Sequence, residues 1–375
     1  MAGIYIHIPF CRRLCYYCDF YKTTNTDLIE NFLEALKQEI RQQQDYLNDE
    51  IIKTIYFGGG TPSVLTASQL SCIIENIYAN FQVVPDAEIT FESNPDDLNP
   101  KYLQELKESG INRLSIGIQS FHNEHLKKMN RRHSAEQAVE AVENAIEAQF
   151  YDLSVDLIFG LPGLSAQRWH ENLQQAFRFP VNHLSAYHLT YHEGTPFYTW
   201  LKKGTLKELS ESESVDQFNI LMDESEKAGF EQYEISNFAR NGKYSKHNTS
   251  YWKGKKYLGL GPSAHSFDGN SRRWNVAHTE SYIKGVKNNV SYFEEEQLSE
   301  KEKFNEYILT RLRTKWGISL QEISNRFGEK NAKTVSNILA KYISSNKIKE
   351  ENDIFTFTRE GIFISDDIIL DFMII

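Results

Sequence analysis

The sequence predicts an α/β chain built around a run of parallel strands. Two observations carry that expectation: short β-type runs alternate with longer amphipathic stretches six times from the first residues onward, and a glycine-rich or polar motif follows nearly every predicted strand. Strictly repeated βα units imply right-handed crossovers, so the six strands form either an open sheet or a sheet curled part-way into a barrel. In both arrangements chemistry sits at the C-terminal ends of the strands.

The predicted strands are residues 4–8, 52–57, 88–92, 113–118, 153–158 and 184–189. Between the first two, Leu28, Phe32, Leu33, Leu36 and Ile40 fall on one helical face. Thr66 with Gln69 reads as a capping box opening the second helix. Asn99 and Pro100 fit the N-cap and first position of the third, which Gly110 closes, and Ser134 with Gln137 and then Ser165 open the next two. Past residue 190 the periodicity loosens into aromatic and polar sequence. The expected organisation is therefore a core over 1–190, an extension packed on it over 191–295, and a small domain over 296–375. That last stretch has helical runs, one of them at 330–344, and a β-like run at 354–357 ahead of a turn, a winged-helix-like pattern.

At 375 residues and 40% hydrophobic composition the chain is long enough for one large core and an appendage. A formal net charge of −10 argues against nucleic-acid binding, which wants a basic stripe, and Glu329 opposes groove insertion by the 330–344 helix. A structural or partner-docking role is expected of that domain. The first residues lack a signal-peptide pattern and no apolar run approaches ~20 residues, so a cytoplasmic protein with reduced thiols is expected.

Five motifs are predicted to share one rim: the loop after residue 8, GGGTP at 58–62, ESNP at 92–95, GIQS at 117–120 and GLPG at 160–163. Any one of them alone reads as an ordinary turn. The first carries Cys11, Cys15 and Cys18, and the only other cysteine is Cys72, whose neighbours place it on an apolar helix face, expected in the core. Three thiols within eight residues cannot make a disulfide framework. Zinc prefers four ligands in paired knuckles, whereas C-x-x-x-C-x-x-C supplies three thiolates and leaves one coordination corner for a non-protein ligand.

C-x-x-x-C-x-x-C after a first strand, with GGGTP after the second, resembles the radical S-adenosylmethionine (SAM) superfamily. The resemblance implies a partial (β/α)6 radical-SAM barrel in which Cys11, Cys15 and Cys18 hold three irons of a [4Fe–4S] cluster and SAM chelates the fourth. Gly59, Gly60 and Thr61 offer backbone suited to the methionine end of SAM, and Glu92 suits its ribose hydroxyls. YIHIPFC at 5–11 and DLIFGLP at 156–162 further resemble the coproporphyrinogen III oxidase-like branch, which implies that Gln119, Arg131 and Asp156 complete the SAM pocket and that Tyr5 approaches the cluster. Two functions compete within it. Oxygen-independent coproporphyrinogen III oxidase carries a further cysteine two residues past the trio and a longer N-terminal extension; here that position is Phe20, and ten residues precede Cys11.

Cys-Asp-Phe at 18–20 and HNTSYW at 247–252 instead resemble the heme chaperones of the HemW family. That implies heme as a further ligand, a heme-acceptor protein, compatible with a membrane-associated one, and an electron donor. Imidazole can ligate heme iron and Tyr or Trp can pack on the macrocycle, which makes His247 the expected ligand, with His265 and His278 as weaker candidates. The aromatic run from Tyr187 to Tyr198 is expected to pack, or to line a pocket mouth. Oxidative decarboxylation to protoporphyrinogen IX remains the alternative activity.

Overall fold

A computed structural model describes residues 1–374. Six parallel strands form its centre in sequence order: β1 (Ala2–Ile8), β2 (Ile52–Gly59), β3 (Val83–Ser93), β4 (Arg113–Gln119), β5 (Leu153–Phe159) and β6 (His183–His188). Helices α1 (Ile29–Gln42), α2 (Ala67–Asn80), α3 (Pro100–Glu108), α4 (Asn123–Lys128), α5 (Ala135–Glu147) and α6 (Ala166–Phe177) make the crossovers. Their starts are fixed locally. Thr66 and Ser134 form capping boxes with Gln69 and Gln137, while Asn99 and Ser165 accept from the backbone N–H three residues on.

The strands alternate with period two, and the alternation decides where the core lies. Ile4, Ile6, Ile8, Ile55, Phe57, Ile89, Phe91, Leu114 and Ile116 point to the helices and are buried in one continuous core. The intervening positions, Tyr5, His7, Thr54, Tyr56, Glu88, Thr90, Glu92, Arg113, Ser115, Ser154, Asp156, His183 and Ser185, carry the polar groups of the strands. They bond across strands, as in Tyr56 to Glu92 and Ser115 to Asp156. The curled sheet therefore has a dry outer layer and a polar lumen.

Beyond β6 the sequence is far more regular than expected. Helices α7 (Pro196–Lys202), α8 (Glu211–Lys227), α9 (Lys246–Trp252) and α10 (Thr279–Asn288) alternate with β7 (Glu231–Gln232), β8 (Asn237–Ala239), β9 (Tyr257–Leu260), β10 (His265–Phe267), β11 (Ser271–Asn275) and β12 (Phe293–Gln297). These strands continue the central sheet at both edges, giving twelve strands in the order β12-β11-β10-β9-β1-β2-β3-β4-β5-β6-β8-β7. The extension is thus part of the sheet, not a layer packed on it. Strands of two to five residues are too short to show a period, which is why the sequence reads as loop. Glu39 of α1, 1% exposed, locks it in place: it accepts from Gly261 N–H (2.8 Å), Asn275 Nδ2 (2.7 Å) and Tyr282 OH (2.6 Å). Burial pushes its carboxyl up to about 7.

The last segment has α11 (Glu300–Leu312), α12 (Leu320–Phe327), α13 (Glu329–Ser344), a hairpin of β13 (Ile348–Glu351) and β14 (Ile354–Phe357), then α14 (Arg359–Ile362) and α15 (Ser365–Phe372). It has its own core around Phe304, Ile308, Leu339 and Phe355. Cys72 departs from expectation. It lies on the solvent side of α2, whose core face uses Leu70, Ile73, Ile74 and Ile77. Among the described residues no helix is long and apolar enough to cross a membrane.

Candidate cofactor site and adjoining groove

The loop after β1 is pinned at its base, where Cys11 N–H donates to Thr23 O (2.9 Å) and Thr23 N–H to Pro9 O (2.7 Å). All four cysteines are free thiols. Thr61 Oγ1 donates to Cys11 Sγ (3.3 Å), Arg131 Nη1 to Cys15 Sγ (3.4 Å), and Lys22 Nζ to the Cys18 carbonyl (2.6 Å). Burial pushes the Cys11 thiol up to about 11, and burial raises Cys18 too. Nearby donors of this kind offset the negative charge that thiolates acquire when iron displaces their protons. Among the described residues no three His, Cys, Asp or Glu side chains converge on a single metal ion. A multi-iron cluster, taking one thiolate per iron, does not require such convergence.

The three cysteines open onto a cavity of about 410 Å³ also lined by Gly59, Gly60, Thr61, Glu92, Gln119, Arg131 and Asp156. The structure therefore brings together ten of the expected cluster and SAM residues. Gly60 is fixed by close approach: a Cβ there would lie 2.8 Å from the Phe10 carbonyl. Gln119 ends β4 at φ 68°, a left-handed conformation rare for glutamine, where the pairing with β5 slips. Arg131 is half-buried and joins the cysteine loop to the ends of β3 and β4, donating to Asn94 Oδ1 and Gly117 O (both 2.6 Å) as well as to Cys15. Tyr56 OH donates to Glu92 Oε1 (2.7 Å), yet burial still pushes the Glu92 carboxyl up to about 7. Asp156 takes Ser115 Oγ on both oxygens (3.1 Å each), and burial raises it also.

Two expected ligands lie elsewhere. Tyr5 points into the lumen below this cavity, its ring 6.1 Å from Tyr56, and lines a second space instead. His247 is 1% exposed beneath Tyr56, at the N-terminal ends of the strands. Its Nδ1 lies 2.8 Å from Thr54 Oγ1 and its Nε2 2.7 Å from Tyr251 OH, while its backbone N–H and that of Lys246 donate to Glu88 (3.0 Å each). Both ring nitrogens are engaged, and burial beside Arg113 lowers His247 to about 3. His247 thus packs into the barrel floor and lines neither of the two spaces.

The other residues of that motif do face open space. Asn248, Tyr251 and Trp252 line a groove of about 1230 Å³ between the barrel and the C-terminal domain, with Tyr5, His7, His265, Arg272 and Arg311. Asp19, Phe20, Tyr187 and Asn248 border both spaces. Phe20 is 64% exposed at this junction. In the aromatic run, Tyr187 lines the opening while Phe197 is fully buried. His278 caps α10 by accepting from Ser281 N–H (3.2 Å), away from both spaces.

The radical SAM superfamily matches residues 5–176, and the HemN C-terminal domain matches residues 298–364. The heme chaperone HemW of Bacillus subtilis is 32% identical over 98% of this chain and 98% of its own length. This chain belongs to the radical SAM superfamily and, within it, to the HemW family. HemW of Lactococcus lactis is likewise 32% identical, over 99% of this chain and 97% of its own. The Escherichia coli coproporphyrinogen III oxidase structure superimposes with a TM-score of 0.85 at 23% identity, covering 99% of this chain and 89% of that one, a likeness of fold.

Superfamily membership implies a [4Fe–4S] cluster and SAM, and the residues present fit both. Besides the trio of thiols and the glycine cradle, the buried polar atoms Ser93 Oγ and Arg131 Nε reach the cavity wall without a hydrogen-bond partner. Buried polar groups are seldom left so unless a ligand completes them. Sequence reasoning missed Tyr56 and Ser115 of this HemW-family site, and reached Ser93 and Asn94 only as part of the rim motif at 92–95. For the strand residues the signal was present: polar groups at every second position of otherwise apolar strands mark a polar lumen.

Proposed function

We propose that the chain is a cytoplasmic heme chaperone that binds heme in the groove and delivers it to an acceptor protein, with a [4Fe–4S] cluster and SAM in the adjoining cavity. The observation that carries this reading is identity of 32% along the whole chain with proteins described as heme chaperones. An aromatic groove beside the cofactor cavity supports it. The oxidase reading has fold likeness alone behind it.

Cys11, Cys15 and Cys18 would hold the cluster; Gly59, Gly60, Thr61, Glu92, Gln119, Arg131 and Asp156 would hold SAM. When bound, the cluster supplies a low-potential electron to the SAM sulfonium. Arg131 positions the cysteine loop against the ends of β3 and β4, and Glu92, kept by Tyr56 as an acceptor, suits ribose hydroxyls. His247, Thr54 and Glu88 close the barrel floor and set Tyr251 against the groove. We further propose that residues 1–190, 191–295 and 296–375 act as cofactor core, groove wall and groove lid. Needed partners are an electron donor and an acceptor apoprotein, which a membrane can carry; nucleic acid is not among them.

Heme titration of the full chain tests the reading. A saturable Soret band at one heme per chain, followed by transfer of that band to an apo-hemoprotein, is expected. No saturable binding would contradict it.

A further inference from the structure

Three histidines border the groove or stand behind its wall, and they differ in what their rings already do. His7 is 3% exposed, with Nε2 2.9 Å from Tyr21 O and Nδ1 3.3 Å from Tyr5 OH. His247 is engaged at both nitrogens. His265 is exposed to the groove, and among the described residues its ring nitrogens have no hydrogen-bond partner. Its position is nonetheless rigid. It pairs with Trp274 across β10 and β11, the two rings 6.3 Å apart and inclined by 29°, and its backbone lies so close to Gly259 that a Cβ there would meet the His265 carbonyl at 2.0 Å.

Phe267 and Arg272 form the next alternating pair of the same ribbon, so His265, Phe267, Arg272 and Trp274 share one face. Arg272 uses Nε on Glu306 (2.6 Å) and Nη1 on Tyr257 OH (3.3 Å), which leaves Nη2. Opposite, on α11, Arg311 also lines the groove but is committed to an ion pair, with Nη2 3.5 Å from Glu322 Oε2 and Nε buried. Heme is an apolar disc with iron at its centre and two carboxylates on one edge. A free imidazole, aromatic walls and a guanidinium with Nη2 to spare at Arg272 match those three features in turn.

We propose that His265 is the protein ligand to heme iron and that Arg272, through Nη2, receives a heme carboxylate, with His247 in a structural role. This rests on the heme-chaperone reading. Hemin is titrated into the full chain carrying His265→Ala, His247→Gln or Arg272→Met, with circular dichroism to confirm folding. His265→Ala is expected to shift the Soret band towards unligated heme and weaken binding at least tenfold, with added imidazole restoring the ligated band. Folded His247→Gln keeps the parent spectrum, and folded Arg272→Met narrows the preference for hemin over hemin dimethyl ester. A parent spectrum in His265→Ala, or loss of the ligated band in folded His247→Gln, overturns the assignment while leaving the chaperone reading intact. Failure of the unaltered chain to bind hemin overturns both.

Discussion

The cofactor cavity and the groove lie side by side, yet they are assembled in opposite ways. Most of the cavity wall comes from the six consecutive parallel strands and the loops that follow them, so each strand-end motif arrives at the rim by the same local rule. The groove draws on β1, β6, α9, the β10–β11 ribbon and α11, segments up to three hundred residues apart and ordered by no repeat. Local rules place chemistry well. They say little about pieces brought together only by tertiary packing.

The comparison breaks most sharply if the two sites prove to be one. Cys15→Ala is expected to abolish the cluster's visible absorption and to cut bound iron and sulfide after anaerobic reconstitution, while hemin affinity changes less than twofold. Parallel loss of hemin binding would mean that the cluster builds the groove. Next in size, Arg131→Met strips donors from Asn94, Gly117 and Cys15. It should cost about 2 kcal/mol in denaturant unfolding and weaken SAM binding at least tenfold, since half-buried acceptors lose a charged donor. A loss below 1 kcal/mol would show that these segments stand without it.

Glu39 tests the join between core and extension. Its carboxyl is raised from 4.5 to about 7, so the folded chain keeps a proton that the unfolded chain releases from pH 4.5 upward. Stability from this group is full below pH 4.5, falls by about 3 kcal/mol on the way to pH 7, and then levels off. Glu39→Gln should remove that slope from urea unfolding measured across the window. A slope unchanged in the variant would assign it to other groups. The smallest effect belongs to Cys72→Ser, expected within about 0.5 kcal/mol of the parent because the thiol faces solvent; a loss above 2 kcal/mol would restore Cys72 to the core.

What the sequence made legible follows the same division. The six strands, four helix caps, the three cysteines, the glycine loop at 58–62 and Glu92 were readable because period, cap chemistry and strand-end motifs are all encoded within a few residues, whereas Gln119, Arg131 and Asp156 followed from the family resemblance. Strand β14 was found at residues 354–357, but its partner β13 was not, since Lys349, Glu350 and Glu351 hide a strand whose outer face is solvated. Cys72 was misplaced by one helical position. His247 marks where such reading stops. A histidine among aromatic residues looks the same whether its ring meets iron or Thr54 and Tyr251, and only the packing of α9 into the barrel floor separates the two.

The central claim is that the adjoining sites serve heme delivery and not porphyrinogen oxidation. The most direct test incubates the reconstituted protein anaerobically with SAM, a reductant and coproporphyrinogen III, and in parallel with hemin and an apo-hemoprotein. The account predicts hemin transfer and no decarboxylated product; protoporphyrinogen IX formed with turnover would contradict it.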